Sequence, residues 1–170
     1  MTWAAWLLEQ GDADETTLAQ AERVVDAAEL QPGDTVLDLG TGLALLSFGA
    51  HERIGEGWVI AVDHSVGALD ALLRRAHEVG ASGITYLVGD AAVLPLPDAS
   101  VDAVLLHSAL AGAGDVGAVV EELARVLRPG GRLSLREAGE TTGVADAFAG
   151  WADVRVAEEE SGLYLSARRA

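Results

Sequence analysis

Two hydrophobic periods alternate along this chain, and that alternation limits the folds open to it more than any other feature. Short runs of β-branched and apolar residues recur at 35–39, 58–62, 84–88, 101–106 and 132–135, with helical stretches between most of them. Strand and helix in alternation predict an α/β domain: a doubly wound parallel sheet with helices on both faces. The helices can be placed by their ends. Asp12 and Glu15 stand at capping-box spacing, and Leu18, Ala21, Val25 and Ala28 follow as one apolar stripe before Pro32-Gly33. Ser65 is the expected cap of a helix running to Val79, with Gly80 as its stop. Asp115 is the expected cap of another that carries Val119, Leu123 and Val126 and is halted by Pro129-Gly130. Residues 43–54 read as the helix after the first strand, apolar enough to pack between sheet and neighbours.

Both termini change the rhythm. Near the C-terminus Val154 and Val156, then Leu163 and Leu165, alternate at period two around a turn at 158–162, which predicts an antiparallel hairpin added to the parallel sheet. At the N-terminus Trp3, Trp6 and Leu7 fall on one face of a short helix ending at Gly11. So short a helix needs something to pack on. It is either a patch on the outside of the sheet near Leu18 or a lid that closes over a ligand and excludes water.

The chain has 170 residues, the size of one domain, and no repeat or linker interrupts it. It divides into N-terminal helices over 1–30, a core over 31–137, and a C-terminal helix and hairpin over 138–170. The last segment is too short to hide a cap domain. Any second binding site must then come from the N-terminal segment, the loops at 108–114 and 139–143, or a second copy in a homo-oligomer. Acidic residues number 27 against 11 basic ones, a net charge of −16, and every basic residue is an arginine. That charge repels phosphate backbones, so no nucleic-acid partner is expected. Lysine, asparagine and cysteine are absent. Schiff-base chemistry, a Walker lysine, thiolate metal sites and disulfides are thereby excluded. The first residues lack both a basic region and an apolar run long enough for a signal peptide or membrane span, so a cytoplasmic protein is expected.

The chemistry is concentrated in Val36-Leu37-Asp38-Leu39-Gly40-Thr41-Gly42-Leu43-Ala44, an apolar strand that enters a glycine turn and then a helix. Gly40 can take backbone angles other residues avoid, and Gly42 allows close approach of a ligand. Asp63 ends the next strand about twenty residues on, where a carboxylate can accept both hydrogen bonds of a ribose diol. Asp90, after Gly89, ends the third. Each acid alone is equally a helix cap or a solvated turn residue. Three acids at the ends of three consecutive strands mark the ligand crevice of an open α/β sheet. A nicotinamide dinucleotide would call for a third glycine where Leu45 stands, and Asp38 would repel its pyrophosphate. An acid there suits a cationic ligand, an ammonium beside a sulfonium, and so favours S-adenosylmethionine.

At these residues the chain resembles the class I S-adenosylmethionine-dependent methyltransferases, nearest the broad group containing the ubiquinone and menaquinone C-methyltransferases. Its glycine turn is similar to their first motif, E/D-x-G-x-G-x-G, with Ala44 in place of the last glycine, a departure expected to cost little. Val62-Asp63-His64-Ser65 resembles the second motif and Gly89-Asp90-Ala91 the third. Leu94-Pro95-Leu96-Pro97-Asp98 with Val101-Asp102-Ala103-Val104 resembles the loop and fourth strand, and Leu127-Arg128-Pro129-Gly130-Gly131-Arg132-Leu133 the turn into the fifth. The resemblance covers about residues 30 to 137 and implies a Rossmann-like seven-stranded sheet in the order 3-2-1-4-5-7-6.

It also implies roles. Asp38, Gly40 and Gly42 would hold the methionine end of the cofactor. Asp63 would hold the ribose, His64 would stack beside the adenine, and Asp90 with Ala91 would meet the adenine edge. His107 would sit where cofactor and acceptor come together, and S-adenosylhomocysteine would be the product. Methyl transfer is an in-line displacement that needs alignment and dryness, with a base only where the acceptor loses a proton. The acid–base candidates are His107 and Glu137, both at strand ends on the ligand edge. His107 is equally a residue that only lines the pocket, and Glu137 a solvated strand-end acid. The segment His107-Ser108-Ala109-Leu110 lacks the N/D-P-P-Y/F pattern of amino-methylating nucleic-acid enzymes. Cytosine C5 enzymes need cysteine, and metal-dependent catechol enzymes use an asparagine. The expected function is metal-free methyl transfer to a small-molecule acceptor. The alternatives are a cyclase or isomerase using the cofactor structurally, a regulatory domain that does not methylate, and, last, a nicotinamide oxidoreductase.

Overall fold

The computed structural model describes residues 3–110, 112–139 and 141–170. Met1, Thr2, Ala111 in the 108–114 loop and Glu140 in the 139–143 loop lie outside the described residues. Helices α1 (Trp3–Gln10) and α2 (Glu15–Ala27) precede strand β1 (Thr35–Leu39). There follow α3 (Leu45–Ile54), β2 (Trp58–Asp63), α4 (Val66–Val79), β3 (Ile84–Val88) and β4 (Val101–His107). The chain closes with α5 (Val116–Val126), β5 (Leu127–Glu137), β6 (Ala152–Glu159) and β7 (Gly162–Arg168). The strands form one sheet in the expected order, β3-β2-β1-β4-β5-β7-β6. β1 to β5 are parallel, and β7 pairs antiparallel with both β5 and β6.

Alternation along the strands divides the core in two. Val36, Ala103 and Leu105 face α1, α2, α3 and α4. Leu37, Leu39, Val104 and Leu106 face α5 and the 144–151 segment. Side chains of successive strand residues point to opposite faces, so each strand feeds both layers. No helix stands between β3 and β4. Among the described residues no helix is long and apolar enough to cross a membrane.

Ser65 and Asp115 cap α4 and α5 as expected, accepting from the backbone N–H of Ala68 and Ala118. Three local expectations are corrected. The cap of α2 is Asp14, which accepts from Thr17 N at 2.7 Å, while Asp12 belongs to the preceding turn and pairs with Arg75. α3 begins at Leu45, because the glycine turn occupies the chain through Ala44. The helix expected within 138–170 is only a three-residue 3₁₀ turn, Asp146–Phe148. Gly139, Gly143 and Gly150 leave too few residues between them for an α-helix to repay its nucleation cost.

α1 packs as core. Leu7 is fully buried, Trp3 stacks against Phe48 of α3 with ring centroids 6.3 Å apart, and both join the cluster that contains Leu18.

Candidate active site

Two cavities meet at Gly40, on the carboxyl edge of the sheet. The larger, about 640 Å³, runs past the ends of β1, β2 and β3 and is lined by Gly40, Asp63, His64, Asp90, Ala91 and Ser108, among others. The smaller, about 220 Å³, lies between Thr17 of α2, the glycine turn including Asp38 and Gly42, and His107 at the end of β4. Every residue singled out from sequence thus borders one cavity or both, except Glu137.

The glycine turn is built by sterics. Gly40 sits at φ +75°, donates its N–H to Val62 O at 2.8 Å, and would bring a Cβ to 2.9 Å from the Ala109 Cβ. Only glycine meets both conditions. Ala44 is also left-handed, at φ 67°, and enters α3 with no side-chain cap. An L-residue there costs roughly 1–2 kcal/mol. The substitution of the family's last glycine by alanine, expected to cost little, therefore carries backbone strain.

Asp38 is fully buried. Its Oδ2 accepts from Ser47 Oγ at 2.5 Å and Thr41 Oγ1 at 3.0 Å, and its Oδ1 has no partner among the described residues. Burial pushes its pKa up to about 6 against the pull of the Ser47 and Thr41 hydroxyls, and the nearby Asp63 adds to the rise. A buried acceptor left open beside a small cavity calls for a donor, and a cation is the donor that would restore the charge. An ammonium fits this place; a pyrophosphate does not.

Asp63 is held by two backbone donors. Gly42 N approaches Oδ2 at 3.2 Å and Ser65 N approaches Oδ1 at 2.8 Å, while the exposed His64 has Nδ1 3.5 Å away. The first contact ties the glycine turn to the neighbouring strand. A carboxylate has about four acceptor sites, so this one retains capacity toward the cavity. Asp90 accepts from Ala92 N at 2.9 Å and bridges to Val93, which fixes the turn that carries Ala91.

His107 borders the smaller cavity, not the larger. Its Nε2 is buried without a partner among the described residues. Burial, reinforced by the Arg136 guanidinium on the adjacent strand, holds its pKa below the ordinary imidazole value. The ring is therefore neutral at neutral pH, with a nitrogen free to exchange a proton. Glu137 is placed differently from the expectation of an acid–base or solvated group. It is fully buried, and its Oε1 accepts from the backbone N–H of Ala109 and Leu110, each at 2.8 Å. Strand alternation turns it to the opposite face from Arg136, where it anchors the loop after β4. That loop begins with Ser108 in a left-handed conformation, φ 56°, its N–H donating to Arg136 O at 2.7 Å.

Sequence reasoning passed over Thr17, Thr41, Ser47 and Ser108. The signal for Thr41 and Ser47 lay in the pattern: two hydroxyls close behind a strand-end acid, the second inside an otherwise apolar helix turn.

An open, doubly wound sheet of this strand order, with its crevice at the carboxyl ends, defines a Rossmann-like domain. A solved S-adenosylmethionine-dependent methyltransferase from Aquifex aeolicus has the same fold. Its TM-score is 0.80 at 21% identity, covering 95% of this chain and 96% of that one. The model of the methyltransferase domain family matches residues 37–135, and the chain belongs to that family. It is 40% identical over 113 residues to a demethylmenaquinone methyltransferase of Mycolicibacterium vanbaalenii, a match covering 66% of this chain and 45% of the relative. It is 37% identical over 120 residues to a ubiquinone/menaquinone biosynthesis C-methyltransferase of Xanthomonas oryzae, covering 69% of this chain and 47% of the relative. The chain thus spans under half the length of these curated relatives.

Proposed function

We propose that this chain binds S-adenosylmethionine and transfers its methyl group to a small-molecule acceptor, releasing S-adenosylhomocysteine. The observation that carries the reading is the row of strand-end acids, Asp38, Asp63 and Asp90, around two cavities joined at Gly40. Asp38 Oδ1 would take the ammonium of the methionine end, with Ser47 and Thr41 fixing the other oxygen. Asp63, oriented by Gly42 N and Ser65 N, would accept from the ribose hydroxyls. Asp90 and the Ala91 backbone would meet the adenine edge, and His64 would flank its ring from the rim. The bound cofactor supplies a methyl group already activated on sulfonium. The chain's own task is alignment, exclusion of water and, for an acceptor that must lose a proton, a base. His107, neutral and with Nε2 free, is the residue suited to accept that proton. With its charge of −16 the chain is read as having no nucleic-acid partner, and the lack of a signal-like run in its first residues supports a cytoplasmic enzyme. An acceptor site completed by a second copy remains part of the proposal.

Calorimetry with S-adenosylmethionine, S-adenosylhomocysteine and NAD tests the reading. Binding of both sulfur ligands and not of NAD is expected; binding of NAD alone contradicts it. With an acceptor in hand, His107→Ala should lower turnover by roughly a hundredfold or more while cofactor affinity stays within a few-fold. Unchanged turnover would retire His107 as a base. A cofactor-bound chain that transfers methyl to no acceptor would favour the non-methylating alternative.

A further inference from the structure

Among the described residues, four buried side-chain polar atoms lack a hydrogen-bond partner, and three of them share one face of the sheet at its carboxyl edge: Asp38 Oδ1, His107 Nε2 and Arg136 Nε. The proposed function accounts for the first two. Arg136 is unexplained. Seven arginines nearer the surface have acid partners, whereas Arg136, only 5% exposed, has none among the described residues. Its Nη2 donates to Ser161 O at 2.6 Å, and its guanidinium carbon lies 5.8 Å from the centre of the Tyr164 ring. A carbonyl and a ring face leave the cation uncompensated, and a buried unpaired charge is costly to keep.

We propose that Arg136 recognises the acceptor, and that the acceptor carries an oxyanion, a carboxylate or a phosphate ester, which pairs with the guanidinium beside His107. This rests on the reading that the crevice holds S-adenosylmethionine. The sheet register supports the placement. His107 and Arg136 are direct partners on β4 and β5, and β4 also separates Arg136 from β1, which carries Asp38. At roughly 4.8 Å between strands, the backbones that carry Asp38 and Arg136 lie about 10 Å apart, with the strand of His107 between them. That is the span of a small molecule aligned for transfer. A guanidinium presents the planar fork that matches oxyanions. A chain of charge −16 repels anions at long range, so such an acceptor needs a buried, dedicated contact of this kind.

The test uses the full chain saturated with S-adenosylhomocysteine and the probes benzoate, phenyl phosphate and benzamide, read by thermal melting. Benzoate or phenyl phosphate at ten times its dissociation constant should raise the melting temperature by about 3–5 °C, and the neutral benzamide should not. Whichever anion protects better identifies the source of the oxyanion. Arg136→Met should abolish this protection while S-adenosylhomocysteine affinity stays within about threefold, and Arg136→Lys should retain part of it. The wild-type contrast of benzoate with benzamide needs no variant, so it holds even if one fails to fold. Equal protection by benzamide, protection unchanged in Arg136→Met, or no protection by either anion overturns the proposal and leaves the cofactor reading intact. A tenfold loss of S-adenosylhomocysteine affinity in Arg136→Met also overturns it, by assigning Arg136 to the cofactor. Failure of S-adenosylhomocysteine to bind the wild type would instead remove the underlying reading.

Discussion

The two edges of the sheet treat charge in opposite ways. At the amino edge, charges are matched. Arg132 pairs with Asp34 at 2.6 Å and donates to Glu29 O, Arg168 pairs with Glu29 at 2.6 Å, and Arg128 pairs with Asp102, which also accepts from Thr35 N. At the carboxyl edge, Asp38, His107 and Arg136 each keep a buried polar atom without a partner among the described residues. The first edge closes the ends of β1, β4, β5 and β7 on themselves. Under the proposed function the second is kept for a ligand, so that stability and binding divide between the two edges.

Substitutions at the two edges should therefore separate stability from affinity. The largest effect is expected from Asp34→Ala, which strands the mostly buried Arg132 guanidinium. Loss of about 3 kcal/mol of unfolding free energy is expected, measured in urea, with S-adenosylhomocysteine affinity unchanged. Equal losses of stability and affinity would erase the distinction between the edges.

Asp38→Asn should do the reverse. Its pKa of about 6 in the folded chain lies above the 3.8 of an unperturbed aspartate. The folded state therefore binds a proton that the unfolded state has released, and wild-type stability falls as pH rises from about 4 through 6. The asparagine variant lacks that penalty, so it should be more stable above pH 6 by on the order of 2–3 kcal/mol, with no such gap below pH 4. Its cofactor affinity should drop. A variant less stable at every pH would show that the carboxylate serves the fold.

Asp63→Ala comes next. A charge-assisted diol contact worth roughly 1.5–3 kcal/mol should vanish from binding while the melting temperature changes little. A fall in stability without one in affinity would make Asp63 merely the end of a strand. The smallest effect is expected from Ala44→Gly, which relieves the left-handed alanine and should raise stability by up to about 1 kcal/mol.

The carboxyl edge was more legible in the sequence than the amino edge, for a physical reason. Strand-end acids, glycine turns and helix caps act within a few residues of one another, so Asp38-Leu39-Gly40, Ser65 and Asp115 announced themselves through spacing. Two ion pairs of the amino edge, Arg132 with Asp34 and Arg168 with Glu29, join residues 98 and 139 positions apart, and no local pattern marks them. Glu137 was misread because two adjacent residues of a strand face opposite ways. Neighbouring Arg136 lies on the sheet face that carries His107, and Glu137 turns to the other face to hold the loop after β4. The helix expected within 138–170 is a single 3₁₀ turn, because the flanking glycines leave too short a segment for more.

Under the proposed function the open oxygen of Asp38 is kept for a cation of the cofactor. Calorimetric titration of S-adenosylhomocysteine at pH 7.5 and pH 5.0, each in two buffers of different ionisation enthalpy, tests it most directly. With Asp38 titrating near pH 6, the ligand should bind about tenfold more weakly at pH 5.0 than at pH 7.5, and binding at pH 5.0 should release close to one proton. Equal affinity at both pH values with no proton released, or no binding at either, would contradict the account.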